Sequence, residues 1–534
     1  MTSSIQTLVL LLTVIAAVAV IEARLKIPTA ILLVTVGVVL GLIPGLPSVE
    51  LAPELVLLLV LPPIIYSSAV AMSWREFRFN LRPISLLALG CVAFTTVAVA
   101  AAAHWLLGLS WPIGFVLGAI VSPPDAVAPL SVARRMQLPR RILVVLEGEG
   151  LANDATALVL YRFAVAAVGA GVFSMGEAAG VFAVIIASEL AWGFCVGWIM
   201  LRLRRWVRDP RIEITLSIIT PFLAYWPPEH LGGSGVLATV TAGLYISWNG
   251  LQLISAATRL QGIFFWDLLI YLIEGMVFLT TGLQARTLIE RIGQYPLLEL
   301  AISAAIISAV VIVARFIWVF PAVYLPRWLV PRIRRRDPAP PWQHAFVLSF
   351  TGVRGIVSLA AALAIPFTTA TGAPFPNRDL VLFLTFSVIL VTLVGQGLLL
   401  PSVIRALGLA NAGRREHEAE KTEECEARRQ AAVAAISRLD ELTTAGTFPE
   451  GILHPIRIRQ RHRLEHIEHA SELDESQRNF RDLHDEIEFL LIGTERQQIN
   501  EQYRSGILTD VSRRRIEREL DLREAELLNQ RPED

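Results

Sequence analysis

Residues 1–410 are one apolar run after another, and no water-soluble fold can bury that much hydrocarbon. Thirteen runs approach or exceed the length needed to cross roughly 30 Å of lipid at about 1.5 Å per residue. They fall at 5–21, 28–43, 54–73, 81–107, 112–132, 142–168, 176–201, 212–226, 234–249, 263–284, 296–324, 343–366 and 380–407. In lipid the backbone must satisfy its own N–H and C=O groups, and runs of this length do so as helices. The expected fold is therefore an all-α polytopic membrane protein of about thirteen transmembrane helices.

Charge sets the boundary of that unit. Of the Asp, Glu, Lys and Arg residues, 46 lie in 1–410 and 48 in the much shorter stretch 411–534. The second stretch alternates charge at helical spacing, as in RRRIERELDLREAELL from Arg513, and reads as a tail of solvent-facing helices. Connections after odd-numbered runs hold 20 Lys or Arg, from Arg24 to Arg336, whereas those after even-numbered runs hold Arg286, Arg291 and Arg378. By the positive-inside rule the N-terminus is then outside and the tail in the cytoplasm of a cell (inner) membrane. The opening MTSSIQT lacks the cationic start of a secretory leader, so the first run reads as a retained span.

Several function classes find no support. Cys91, Cys195 and Cys425 are too scattered for a disulfide framework or a zinc site. No P-loop, nucleophile elbow, HExxH pair or dinucleotide glycine fingerprint occurs, so neither an enzyme nor a resident cofactor is expected. The arginine clusters lie in span-connecting loops and mark topology, which leaves no nucleic-acid face.

Two runs are interrupted near their centres, the fifth by Ser122-Pro123-Pro124-Asp125 and the twelfth by Thr351-Gly352-Val353-Arg354-Gly355. Proline removes a backbone donor and glycine loosens a helix. Each broken run is the middle of a triplet, and the two run antiparallel at matching depth, which is the pattern of an inverted repeat. Transporters place ion sites at such crossings, where freed backbone faces a cavity. Pro-Pro and Gly-rich breaks also serve as plain kinks and packing sites, as Gly37-xxx-Gly41 does in this reading, but a charge in each break favours a site.

The run LEGEGLANDATALVL, from Leu146, sets Glu147, Glu149 and Asp154 in apolar surroundings. An ionisable group at that depth costs several kcal/mol unless it is paired, hydrated or protonated. Glu149 and Asn153 share a helical face, and Asp154 is turned about 100° from Asn153. Glu149 and Arg315 lie at equal depth and make a plausible structural ion pair, with Arg354 as rival partner. Asp154 and Asp125 are then left without cationic side chains beside broken backbone. A carboxylic acid removed from water favours its neutral form, and an all-oxygen site suits a hard cation, so proton and metal cation compete there. Competition at an alternating-access site is antiport.

These motifs resemble the sodium/proton exchanger family of cation/proton antiporters, in particular bacterial members with long cytoplasmic tails. The resemblance runs through LPPIIY at Leu61, GAIVSPPDAVAP at Gly118, EGEGLANDATALVLY at Glu147, TPFLAY at Thr220, SGVLATVTAGLYIS at Ser234 and TGVRGIVSL at Thr351, in family order. It implies that Asn153-Asp154 is the family's Asn-Asp pair, with Asp154 carrying proton and cation, and that Asp125 is the carboxylate of the unwound fifth span. It implies Glu149 as the conserved glutamate, Arg315 as its arginine partner, and Arg354 as the arginine of the second broken helix. It further implies a homodimer, with a mobile core (81–168 and 296–407) working against a dimerisation scaffold (1–80 and 169–295). Exchange of one sodium for one proton is expected to be electroneutral, with potassium and lithium as alternative ions. Many relatives have Thr where this chain has Pro124, so Ser122, backbone carbonyls or water must complete the cation's shell. The alternative class is a cation channel or tail-gated sensor, for which no repeated pore loop or charge ring is visible.

Overall fold

The computed structural model describes residues 2–25, 27–43, 56–170, 175–207, 209–250, 253–292, 296–369, 372–446, 448–472 and 475–530. Its regular structure is helical throughout, and the described residues contain no β-strand, only a single bridge between Thr368 and Pro374. Two compact units are present, Met1–Glu416 and His417–Asp534.

Among the described residues of the first unit, seven helices are each long and apolar enough to cross a membrane. They are Gln6–Leu25, Leu81–Leu107, Arg140–Val168, Gly180–Arg204, Ala256–Glu290, Leu297–Leu329 and Arg378–Ala406. The other apolar runs are carried on shorter helices, including Thr29–Gly41, Val56–Ala71 and Trp111–Val121. Length alone therefore does not count the spans of this fold, because the runs that matter most are broken. The fifth run becomes Trp111–Val121 and Val127–Arg135, parted where Pro123 and Pro124 supply no backbone donor. The twelfth becomes Trp342–Phe350 and Ile356–Leu363, parted at Thr351–Gly355.

Small residues set the close approaches. Gly37 and Gly41 meet the backbone of Leu279, Gly282 and Leu283, so the Thr29–Gly41 and Ala256–Leu283 helices pack main chain to main chain. At the start of a π-turn over Leu86–Cys91, the Leu86 carbonyl accepts a hydrogen bond from the Trp318 indole at 2.9 Å. A second, at Val391–Gln396, brings Thr392 towards the break in the twelfth run.

The second unit is held by side chains of both signs. The helices Glu475–Arg504 and Asp510–Gln530 pair around buried Ile492 and Leu520, and Arg496 bridges Asp521 at 2.8 Å and Glu524 at 2.7 Å. Of the histidines at 462, 466 and 469, only His462 has a described side chain, and it is exposed near Glu465.

Candidate ion site at the crossing of two broken helices

The two breaks meet through their backbones: the Asp125 N–H donates to the Val353 carbonyl at 2.7 Å. Each break then supplies the charge that the other break's exposed helix ends require. Arg354 donates to the Val121 carbonyl at 2.9 Å, to the Ser122 carbonyl at 3.3 Å and to the Gly352 carbonyl, so a fixed cation sits on the C-terminal end of Trp111–Val121. Asp125 accepts from the Val127 N–H at 2.9 Å and the Ile356 N–H at 3.3 Å, which places its carboxylate on the N-terminal ends of both second halves. The Arg354 N–H donates to the Thr392 hydroxyl at 3.0 Å, which ties the crossing to the π-turn.

Gly355 makes this arrangement sterically accessible. A Cβ there would overlap the Asp125 carboxylate, so only a residue without a side chain lets Asp125 reach the start of the Ile356–Leu363 helix. Ser122 is buried, and its hydroxyl donates to the Ala119 carbonyl at 3.2 Å.

The Arg140–Ala170 helix passes beside the crossing. Glu149 is 1% exposed and receives both arms of the Arg315 guanidinium, at 2.5 and 2.8 Å, while the Arg315 Nε donates to the Leu348 carbonyl at 3.0 Å. The geometry thus gives Glu149 to Arg315, and Arg354 to backbone carbonyls. One turn further along, fully buried Asn153 donates its amide N–H to the Pro124 carbonyl at 2.7 Å, while its Oδ1 has no hydrogen-bond partner among the described residues. Asp154, half-buried, likewise has neither hydrogen bond nor ion pair among the described residues, and lies close enough to Asp125 for their charges to interact. An orphaned amide oxygen, an unpaired carboxylate and the backbone-held Asp125 carboxylate therefore lie at or beside one crossing. Unpaired oxygens in a buried setting are strong acceptors for a hard cation or a proton.

Further acids in the apolar runs also find partners. Glu274, in IYLIEGMVF, interacts electrostatically with Asp125 from the Ala256–Leu283 helix. Glu189, 1% exposed, accepts backbone N–H bonds from Ser234, Gly235 and Leu237 at 2.6 to 3.2 Å and so caps the Val236–Gly250 helix. Arg162 pairs with Glu229, joining Arg140–Ala170 to Pro210–His230. The signal that picked out Asp154, an acid inside an apolar run, also marks Glu274 and Glu189.

The sequence model of the family described as sodium/hydrogen exchanger, transmembrane, matches residues 9–406. The chain belongs to the sodium/hydrogen exchanger family. An uncharacterised Na(+)/H(+) exchanger of Mycobacterium tuberculosis is 36% identical over 519 residues, 95% of this chain and 93% of the relative. A sodium, potassium, lithium and rubidium/H(+) antiporter of Bacillus pumilus is 34% identical over 387 residues, covering 70% of this chain and 57% of that one. The solved structure of the sodium proton antiporter MjNhaP1 from Methanocaldococcus jannaschii superimposes with a TM-score of 0.61 at 19% identity, over 77% of this chain and 98% of the other. This family member is accordingly a multi-pass membrane protein with the antiporter fold, and its relatives are named as exchangers, not enzymes.

Proposed function

We propose that this family member exchanges a monovalent cation, sodium before potassium or lithium, for a proton by alternating access. Proton and cation compete for Asp154, with Asn153 Oδ1, Asp125, Ser122 and backbone oxygens completing the cation's shell. Glu149 and Arg315 brace the core, and Arg354 neutralises helix ends so that no fixed cation blocks Asp154. The single observation that carries this reading is the unpaired Asp154 carboxylate beside the unpartnered Asn153 oxygen at the crossing. A relative named for sodium, potassium, lithium and rubidium supports a broad ion range.

In this reading segments 81–168 and 296–407 form a mobile core, 1–80 and 169–295 a scaffold through which two copies pair, and 411–534 a cytoplasmic tail. The excess of Lys and Arg in alternate connections favours an N-terminus outside, and one-for-one exchange leaves transport electroneutral. The test is purified protein in proteoliposomes with a trapped pH dye, to which each alkali cation is added in turn. Proton movement driven by a cation gradient, and insensitive to an imposed membrane potential, is expected. Cation flux without coupled proton movement would mean a channel instead.

A further inference from the structure

The Leu297–Leu329 helix ends in an open groove of about 840 Å³ with an apolar floor and a basic rim. Phe320, Pro321, Leu325 and Trp328 line one side, and Pro338 and Ala339 the other. Trp328 is 78% exposed, with an indole N–H suited to headgroup depth. Three prolines in Asp337-Pro338-Ala339-Pro340-Pro341 stiffen the far wall, so the groove is preformed.

Charge around the groove is strongly unbalanced. Asp337 already receives Arg82 at 2.5 Å, Arg141 at 2.7 Å and Arg327 at 2.8 Å. Arg332, Arg334, Arg335 and Arg336 are all exposed and have no ion-pair partner among the described residues, and Arg334 itself lines the groove. Basic clusters beside the end of a membrane helix attract anionic headgroups. A phosphate on Arg334 with a hydrocarbon chain along Phe320, Leu325 and Trp328 satisfies the rim and the floor together. A free anion would leave the floor wet, and a neutral lipid would leave the guanidinium groups uncompensated.

We propose that this groove is a binding site for an anionic phospholipid, held at its phosphate by Arg334 and along one acyl chain by the aromatic floor. The site lies on the helix that carries Arg315, beside Asp337, which ties Arg327 of that helix to Arg82 and Arg141 of two other segments.

Native mass spectrometry of the full chain, released from vesicles of equal parts phosphatidylglycerol and phosphatidylcholine, tests it. Preferential retention of phosphatidylglycerol is expected. Arg334→Gln should weaken that retention roughly fivefold, the worth of one arginine charge near an anionic surface. Ala339→Trp, which fills the groove and changes no charge, should weaken it comparably, whereas Arg332→Gln, outside the groove, should weaken it less. All three positions are exposed, so unchanged elution volume and helical content are expected of each variant. Three results would overturn the site: retention indifferent to Arg334→Gln; equal loss in Arg332→Gln and Arg334→Gln with none in Ala339→Trp, which is diffuse surface attraction; or displacement of the lipid by equimolar glycerol phosphate, which has the charge without the chain.

Discussion

A buried ion pair and a half-buried lone acid do opposite things five residues apart on one helix. Glu149 and Arg315 satisfy each other, so removing one partner strands the other, at a cost of about 3–5 kcal/mol. Glu149→Ala should therefore lower the thermal midpoint of the purified protein sharply, while Glu149→Leu combined with Arg315→Met should recover most of that loss. A double variant as unstable as the single one would show that the pair does more than neutralise itself. At Gly355 the expected effect is on the site: Gly355→Ala pushes the Asp125 carboxylate off the Ile356 N–H and should weaken apparent cation affinity about tenfold or more with folding intact. Wild-type affinity in that variant would separate Asp125 from the site. The sequence made Asp154, Asp125, Glu149 and Arg315 visible because charge in an apolar run is costly wherever the run folds. It did not show that Asp125 serves two helix N-termini and Arg354 a C-terminus, because those partners are backbone groups exposed only where two distant breaks cross. Glu274 was legible by the same rule as Asp154, yet nothing along the chain indicates that its charge interacts with that of Asp125.

Among the helices, the broken pair is the part best written in the sequence. Ser-Pro-Pro-Asp and Thr-Gly-Val-Arg-Gly state where a helix must stop, and the structure breaks at 122–126 and 351–355. Helix ends elsewhere depend on distant partners, as where Glu189 starts the Val236–Gly250 helix from 45 or more residues away. At the basic loop after Leu297–Leu329, burial alone would push the Asp337 carboxyl up, but hydrogen bonds and charge from Arg141 and Arg327 outweigh it and hold it below the usual range. A lowered folded-state pKa gives stability that is present above the ordinary aspartate value and lost as pH falls through the lower one. Asp337→Asn should thus cost roughly 1–2 kcal/mol at neutral pH, unchanged down to about pH 5, with the difference from wild type vanishing only in stronger acid. Thermal melts of both proteins across that range check it, and a difference already fading near pH 6 would contradict the assignment.

For the whole molecule, exchange requires two bodies that move past each other around the crossing. Arg162 and Glu229 join a helix of the proposed core to one of the proposed scaffold. Joining the Arg162→Cys, Glu229→Cys double variant with a short, reducible thiol-bridging reagent should stop exchange, and reduction should restore it. Full activity while bridged would place both helices in one rigid body. Everything else rests on a carboxylate that binds either ion but not both. Cation affinity of the purified protein, measured by titration calorimetry at a series of pH values, tests this most directly. The account predicts that affinity falls about tenfold for each pH unit below the site's own titration, that cation binding releases protons, and that Asp154→Asn abolishes both effects. Cation binding that ignores pH, or that survives Asp154→Asn with its proton release intact, would contradict it.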